Sequence, residues 1–290
     1  MSDKKIIFFD IDGTIRDFSG RISQSTKKSL DQLKDNGHKI FVCTGRTRCQ
    51  IPQEVLQCGF DGIVAAAGAY VEYDNHVIDN KVVSYDNLNT LLDYSINERL
   101  DLILQGTYQM FALKESVDHI FRIMGENLKI NVQKVESIIG NVTLIRDFSE
   151  LLENENSYVS KAMFYNSRKS VTDLESDLGR WFDFTASSIE RTDEVVGEDG
   201  VKVRLFSGEI TMSGINKAYG MKTAIKALGL DQEDTVAFGD GPNDLDMLEY
   251  AGVGVAMGNA CNGAKETADL ITADIENDGI YQGLIKLGMI

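Results

Sequence analysis

The chain has 290 residues, of which 43% are hydrophobic and 26% are charged, a composition typical of a soluble globular protein with one large domain or two ordinary ones. The formal net charge is −16, from 29 basic and 45 acidic residues, so nucleic acid and anionic membrane surfaces are disfavoured as partners. A small anionic substrate is still compatible with this charge, because a local site can invert the overall sign.

Targeting and metal-binding signals are weak. Only four apolar residues precede Asp10, which is too few for a signal-peptide core, and no uncharged apolar run is long enough to cross a bilayer. The four cysteines and three histidines show no metal-ligand spacing. We therefore expect a cytoplasmic protein with reduced cysteines, either a monomer or a homodimer.

The first strand leads into a pair of aspartates. Residues 6–9 (IIFF) predict a short strand buried on both faces, as in the middle of a parallel sheet. Asp10 and Asp12 follow at its carboxyl end, where open α/β sheets bind ligands, and Gly13 permits a sharp turn. Regular alternation would place both carboxylates on one side, where their repulsion favours a bound cation such as Mg²⁺ or a shared proton. An ordinary Asp-Gly turn is the alternative interpretation.

A helix and a second strand follow. Ser23 or Ser25 is predicted to cap a helix that stops at Gly37, and residues 39–43 (KIFVC) predict a second buried strand.

This second strand ends in Thr44, Gly45 and Arg46. A hydroxyl, a glycine N–H and a cation at a strand end are groups that hold a phosphate, although Thr-Gly turns are also common without function.

The middle of the chain has a different pattern of predicted helices and strands. Residues 70–84 alternate around Asp74 and Asn75 and predict a hairpin. From Tyr85 to about Phe206 the chain mixes predicted helices and strands, without repeats or a proline-rich linker. We predict that this region is an inserted α+β domain joined by two short hinges.

The pattern of the first part resumes after the insert. Residues 208–211 predict a strand, and Ser213 is predicted to cap a helix that ends at Gly229. Lys217 lies in the first turn of that helix, where an anion is favoured, although an ordinary solvated lysine is the simpler interpretation.

A third acidic strand end follows residues 235–238. Asp240, Asn243 and Asp244 occupy a glycine-rich turn there, which suits either loop chemistry or a metal site facing the first aspartates. Residues 258–260 are expected to close the rim of that site.

Four motifs in this order resemble the haloacid dehalogenase-like hydrolase superfamily, and in detail its Cof-type, class IIB phosphatases: residues 10–14, residues 44–46, Lys217 and residues 239–244. The resemblance implies a Rossmann-like parallel-sheet core (1–84 and 207–290). It also implies an inserted C2-type α+β cap (85–206) that sets substrate specificity. Only 30 positions separate Thr14 from Thr44, whereas 171 separate Arg46 from Lys217, so only the second interval has room for such a cap.

The resemblance also implies roles for individual residues. Asp10 would be the nucleophile and Asp12 the general acid and base. Mg²⁺ would be held by four residues, the second through its backbone carbonyl and the last directly or through water: Asp10, Asp12, Asp240 and Asp244. The phosphoryl group would be held by Thr44, Gly45, Lys217 and Asn243. Arg46 would brace the strand end or meet the substrate.

Asp12 separates phosphatases from other branches of the superfamily, since its dehalogenases lack this aspartate and its ion-pumping ATPases carry threonine there. The predicted function is hydrolysis of a small phosphomonoester, such as a sugar phosphate, through an aspartyl-phosphate. Pyridoxal phosphate and flavin-pathway phosphates stay open as substrates. A phosphomutase and a non-catalytic sensor of a phosphorylated metabolite are the alternative functions.

Overall fold

The computed structural model describes residues 4–128, 142–152, 158–186, 194–196 and 202–290. The chain forms two compact units, Met1–Asn80 with Ile215–Ile290 and Lys81–Gly214. We call the first the core unit and the second the inserted unit. In the described ranges no helix combines the length and the apolar surface that a membrane span needs.

Strands and helices alternate along most of the chain. The strands are, in chain order, β1 Ile6–Phe9, β2 Lys39–Cys43, β3 Gly62–Ala65, β4 Tyr70–Tyr73, β5 His76–Asn80, β6 Asp101–Gly106, β7 Met110–Leu113, β8 Val142–Ile145, β9 Val159–Ser167, β10 Phe182–Ala186, β11 Glu194–Val196, β12 Lys202–Arg204, β13 Phe206–Met212, β14 Thr235–Gly239, β15 Val253–Ala256 and β16 Leu270–Ile271. The α-helices of the described ranges are α1 Gln24–Asp35, α2 Gln53–Leu56, α3 Tyr85–Glu98, α4 Lys114–Leu128, α5 Ser149–Leu152, α6 Val171–Leu178, α7 Lys217–Leu228, α8 Leu245–Tyr250, α9 Asn262–Thr267 and α10 Gly279–Lys286.

The core unit is built on an eight-stranded sheet in the order β16, β15, β14, β1, β2, β3, β4, β5. β1 pairs in parallel with β14 and with β2, whereas β4 and β5 form an antiparallel edge. Parallel neighbours need a crossover, and α1 connects β1 to β2 while α8 connects β14 to β15. This is the Rossmann-like parallel-sheet core that the sequence predicts.

The central strand of this sheet is β1, and its burial confirms the prediction for residues 6–9. All four of its side chains are 0% exposed, since paired strands flank both edges and the faces are covered. Phe9 stacks on Phe238 of β14 with ring centroids 5.1 Å apart. The antiparallel edge ends in the predicted hairpin, where Asp74 and Asn75 adopt left-handed backbone angles (φ 50° and 60°).

Helix starts agree with the sequence in one case and differ in another. α1 begins after Ser23, one of the two predicted caps. α7 begins after Asn216, whose side-chain oxygen accepts the N–H of Tyr219, so the cap predicted at Ser213 is wrong. The predicted end of α7 at Gly229 is confirmed, since this glycine adopts φ 65°.

The inserted unit has its own six-stranded sheet in the order β10, β13, β9, β6, β7, β8. α3 and α6 pack on one face, where their leucines share a buried cluster with Phe164 and Phe182. α4 packs on the other face through Ile120, which lies in a cluster with Ile103 and Met110. The unit is therefore an α+β layer with its own apolar core, while its role as a cap that selects substrates stays a prediction.

The junctions between the units differ from the predicted positions. Residues 208–211 lie in β13, which pairs with β9 and β10 of the inserted unit, with Ile210 opposite both Ala162 and Phe184. The boundaries between the two units therefore lie at 80/81 and 214/215, not at the predicted 84/85 and 206/207. The alternating pattern of a strand does not encode which sheet it joins, because strand pairing is decided by distant partners.

Candidate active site

The carboxyl ends of β14, β1 and β2 lie side by side at one edge of the core sheet. In the parallel register Phe9 of β1 is opposite Phe238 of β14, and β2 pairs along the other side of β1. The N–H of Asp10 donates to the carbonyl oxygen of Phe238 at 2.9 Å, which extends the pairing to the aspartate itself. The turns that carry Asp10, Asp240 and Thr44 therefore meet at this edge.

Three carboxylates converge there. One oxygen each of Asp10, Asp240 and Asp244 lies within 4.8 Å of the others. These residues are only 6%, 9% and 0% exposed. Because carboxylate oxygens are the ligands that hard divalent cations prefer, this donor set fits Mg²⁺. The structure brings the three residues together, and their role as metal ligands stays a prediction.

A lysine ammonium lies in the same cluster. Lys217 is the first residue of α7, and its side chain is 1% exposed. Its Nζ donates to Asp10 Oδ1 at 2.6 Å and to Asp244 Oδ1. The interpretation of Lys217 as a solvated lysine is therefore wrong. A buried ammonium needs compensating carboxylates, and two of the three supply them.

Burial and like charges shift the titration of this cluster. Burial raises the pKa of Asp10 to about 8, opposed by the attraction of Lys217 and assisted by the repulsion of Asp244. Burial and the Asp244 carboxylate also raise the pKa of Asp240 to about 6. Burial alone would lower the pKa of Lys217, but its two carboxylate partners outweigh this and hold that pKa well above its usual value. A divalent cation would favour the ionised carboxylates.

Hydrogen bonds from nearby turns hold the acidic side chains in place. Asp244 Oδ2 accepts the backbone N–H groups of Asp240 and Gly241, both at 2.8 Å. Thr14 Oγ1 donates to Asp240 Oδ1 at 2.9 Å. Asp240 and Asp244 therefore each have one oxygen held by a hydrogen bond from a turn, which fixes the direction of the other oxygen.

The turn after β1 needs its glycine. Gly13 adopts φ +89°, and a Cβ there would lie 2.1 Å from Asp240 Oδ2. The carbonyl oxygen of Gly13 accepts from Asn259 Nδ2 at 2.9 Å, and Asn259 Oδ1 accepts the N–H of Ile275 at 2.9 Å. The expectation that residues 258–260 close the rim of this site agrees with these contacts.

Asp12 lies apart from the three-carboxylate cluster. Its side chain is 45% exposed and forms a paired contact with Arg46, from Nε to Oδ2 at 2.6 Å and from Nη2 to Oδ1 at 3.0 Å. Arg16 approaches the same carboxylate at 3.8 Å. The regular alternation that would place Asp10 and Asp12 on one side does not extend this far, since β1 ends at Phe9 and the chain turns before Asp12. Metal binding through the Asp12 carbonyl stays a prediction.

The residues predicted to hold a phosphoryl group lie on the turns around this cluster. Thr44 is buried, and its Oγ1 accepts the N–H of Arg46 at 3.2 Å. Gly45 lies between these two residues. Asn243 is exposed on the 3-10 turn Pro242–Asp244. Arg46 contacts Asp12, and whether it braces the strand end or meets the substrate stays a prediction.

Two further residues support the site, although the sequence pattern predicts no role for either. Thr14 orients Asp240, and Asn216 caps the helix that begins with Lys217. The sequence features that could have indicated these roles are the position of Thr14 in the first motif and the preference for Asn at helix N-caps.

A family model described as haloacid dehalogenase-like hydrolase matches residues 7–284. YkrA of Bacillus subtilis (strain 168) is 30% identical over 292 residues and covers 99% of each chain. The 5-amino-6-(5-phospho-D-ribitylamino)uracil phosphatase YitU of the same organism is 29% identical over 280 residues and covers 96% of each chain. The solved structure of BT1666 from Bacteroides thetaiotaomicron, described among phosphatases of the haloalkanoate (HAD) enzyme superfamily, has a similar fold. Its TM-score is 0.79 at 24% identity, and the match covers 99% of this chain and 96% of that one. The chain therefore belongs to the haloacid dehalogenase-like hydrolases, as a phosphatase of their Cof-type branch.

Proposed function

We propose that this phosphatase hydrolyses small phosphomonoesters with Mg²⁺ through an aspartyl-phosphate formed at Asp10. The observation that carries the proposal is the cluster at the end of β1, where Asp10 lies with two further carboxylates and the Lys217 ammonium. Such a site combines oxygen donors for a hard cation with a fixed positive charge for a phosphoryl group.

The reaction has two half-reactions. In the first, a carboxylate oxygen of Asp10 attacks phosphorus, and the new O–P bond forms as the bond to the leaving oxygen breaks. Asp12 gives its proton to that oxygen, so that an alcohol departs. In the second, Asp12 takes a proton from water, whose oxygen attacks phosphorus and releases phosphate and the Asp10 carboxylate.

The surrounding residues hold the reacting groups. Mg²⁺ would be bound by Asp10, Asp240, Asp244 and the Asp12 carbonyl, and when bound it would supply positive charge to the phosphoryl oxygens. The phosphoryl oxygens would be contacted by four groups: Lys217 Nζ, the Thr44 hydroxyl, the Gly45 N–H and the Asn243 amide.

Arg46 is best assigned to orienting Asp12. Both of its contacts to Asp12 are shorter than the 3.2 Å contact from its Nη1 to the carbonyl oxygen of Gln50, and together they define the plane of the carboxylate. Asp12 is then presented at the rim of the cluster, where it can reach a leaving group that departs outward.

The proposed substrate is a small phosphomonoester on a polyol or sugar-derived chain. YitU, which is similar over nearly the whole chain, is named for a phosphorylated ribityl compound. The net charge of −16 disfavours polyanions as substrates. We propose that the inserted unit selects the leaving group, and that phosphoproteins and nucleic acids are poor substrates.

Phosphate release from 4-nitrophenyl phosphate with Mg²⁺ tests the mechanism. Asp10→Asn removes the nucleophile and should lower turnover by about 10⁴-fold or more. Asp61→Asn is a matched control, since Asp61 lies before β3, at the opposite end of the sheet. Near wild-type turnover by Asp10→Asn, or by protein treated with EDTA, would show that the proposed mechanism is wrong.

A panel of phosphorylated metabolites then tests the substrate class and the alternatives. The proposal expects a sugar or polyol phosphate to have the highest kcat/KM. Transfer of phosphate within a substrate without release would identify a phosphomutase instead. Tight binding of a metabolite without turnover would identify a non-catalytic sensor.

A further inference from the structure

One short segment of the core unit contacts both Lys217 and the residue that follows it. Asp244 accepts from the Lys217 Nζ, at the end of the side chain. Two residues later, Asp246 Oδ2 accepts the backbone N–H of Ala218, the residue after Lys217, at 3.1 Å. The segment that supplies a carboxylate to the cluster therefore also binds the start of the helix that supplies the ammonium.

The two caps of this helix start have different physical consequences. The first N–H groups of an α-helix have no partner inside the helix. Asn216 Oδ1 accepts the N–H of Tyr219 at 2.9 Å, which is a local cap within the same segment of chain. Asp246 belongs to α8, so its bond to Ala218 joins two different helices. A local cap stabilises the helical conformation. A cap from a neighbouring helix also fixes the position of the helix start relative to that neighbour.

The helix start is also tightly packed against β3 and the turn that follows β3. A Cβ at Gly68 would lie 1.9 Å from the carbonyl oxygen of Asn216, and a Cβ at Gly220 would lie 2.3 Å from Val64 Cγ1. This close packing and the Asp246 bond both hold the helix start. Without Asp246, the helix start would lose its bond to α8, and Lys217 would be positioned by this packing, by the Asn216 cap and by the Nζ contacts.

We infer that Asp246 is a positioning residue for Lys217, which it holds by binding the N–H of Ala218 so that Nζ lies between Asp10 and Asp244. The inference rests on the proposed function, in which Lys217 contacts the phosphoryl group as it is transferred. A displacement of the lysine then affects the transition state more than substrate binding.

Three variants separate positioning from general stability. Asp246→Ala removes the acceptor, whereas Asp246→Asn keeps an amide oxygen that can accept the same N–H. Ser23→Ala is the matched control, because it removes the side-chain cap of α1 in the same unit without touching Lys217. Asp246→Ala should lower kcat about 10- to 100-fold with little change in KM, while the other two variants retain most of the wild-type kcat.

A second measurement does not depend on activity. Acetylation of Lys217 by acetic anhydride in EDTA, followed by peptide mass spectrometry, reports the burial of its ammonium. Lys217 should be protected in the wild type, in Asp246→Asn and in Ser23→Ala, and should react faster in Asp246→Ala.

The two measurements together decide the inference. Equal protection of Lys217 in all four proteins, or a loss of kcat that is the same in Asp246→Ala, Asp246→Asn and Ser23→Ala, would overturn it. So would exposure of Lys217 in Asp246→Ala without a change in kcat. If the wild type released no phosphate, the proposed function would fail, while the acetylation result would still show whether Asp246 positions Lys217.

Discussion

Replacement of Lys217 by methionine should destabilise the core unit far more than replacement of a surface lysine. Lys217 is 1% exposed and is the ammonium partner of two buried carboxylates, Asp10 and Asp244. Removing one partner of a buried ion pair leaves uncompensated charge and costs about 3–5 kcal/mol of unfolding free energy. For a unit of this size, that corresponds to a fall in Tm of about 6–20 °C.

Lys39→Met is a closely matched control for this prediction. Lys39 pairs with Asp61 at 2.6 Å, the distance of the Lys217–Asp10 contact, but the Lys39 side chain is 42% exposed. An exposed pair contributes only about 0–1 kcal/mol. The two variants therefore differ in burial and share the chemical change.

Thermal and urea unfolding in EDTA would measure both variants. The loss in Lys217→Met should shrink as pH falls through about 8, because Asp10, whose pKa is raised to about 8, takes up a proton and removes part of the uncompensated charge. Added Mg²⁺ should also reduce the loss, since a cation replaces part of the missing positive charge. If Lys217→Met were no less stable than Lys39→Met in EDTA at neutral pH, the argument from burial would be refuted.

Further predictions concern Asp12 as the general acid and base, Arg46 as its partner, and Mg²⁺. Asp12→Ala should lower turnover by about 10²- to 10⁴-fold while Mg²⁺ still binds, and intact mass spectrometry should detect a phosphorylated enzyme with 4-nitrophenyl phosphate; full turnover would remove Asp12 from the mechanism. Arg46→Met should lower kcat more than it raises KM, whereas Arg48→Met, which breaks a contact to Glu72, should leave kcat unchanged; equal effects would argue against a specific role for Arg46. The folded-state pKa values of Asp10 and Asp240, about 8 and about 6, lie above the unfolded value, so without metal their contribution to stability falls as pH rises from about 4 to about 8. Mg²⁺ competes with these protons, so the rise in Tm on adding Mg²⁺ should be larger near pH 8 than near pH 5, and a rise independent of pH would contradict this.

Local sequence determined much of the core unit. The apolar run of residues 6–9 is long enough for one buried strand and is followed at once by Asp10, so both the strand and the position of the acid could be read from neighbouring residues. The hairpin at Asp74 and Asn75 and the end of α7 at Gly229 were predictable for the same reason, since left-handed backbone angles favour these residue types.

The assignment of β13 shows where local pattern is insufficient. Residues 208–211 have the alternation of a strand, and this part of the prediction is confirmed. The sheet that this strand joins depends on its pairing with β9 and β10. The residues of the strand itself do not encode this choice. Only the pairing in three dimensions placed it in the inserted unit.

For the candidate site too, the sequence predicted some features and the tertiary structure decided others. Four ordered motifs and the family resemblance they carry identified Asp10, Asp240, Asp244 and Lys217 as candidates. For the three aspartates, the sequence also indicated why they meet, because parallel strands bring their carboxyl ends to one edge. The tertiary structure decided that Lys217 is buried between two carboxylates and that Asp12 faces Arg46. The burial of Lys217 depends on where α7 packs, and the direction of Asp12 depends on a turn that ends strand alternation. Both result from contacts between segments distant in sequence, which residue type and periodicity do not encode.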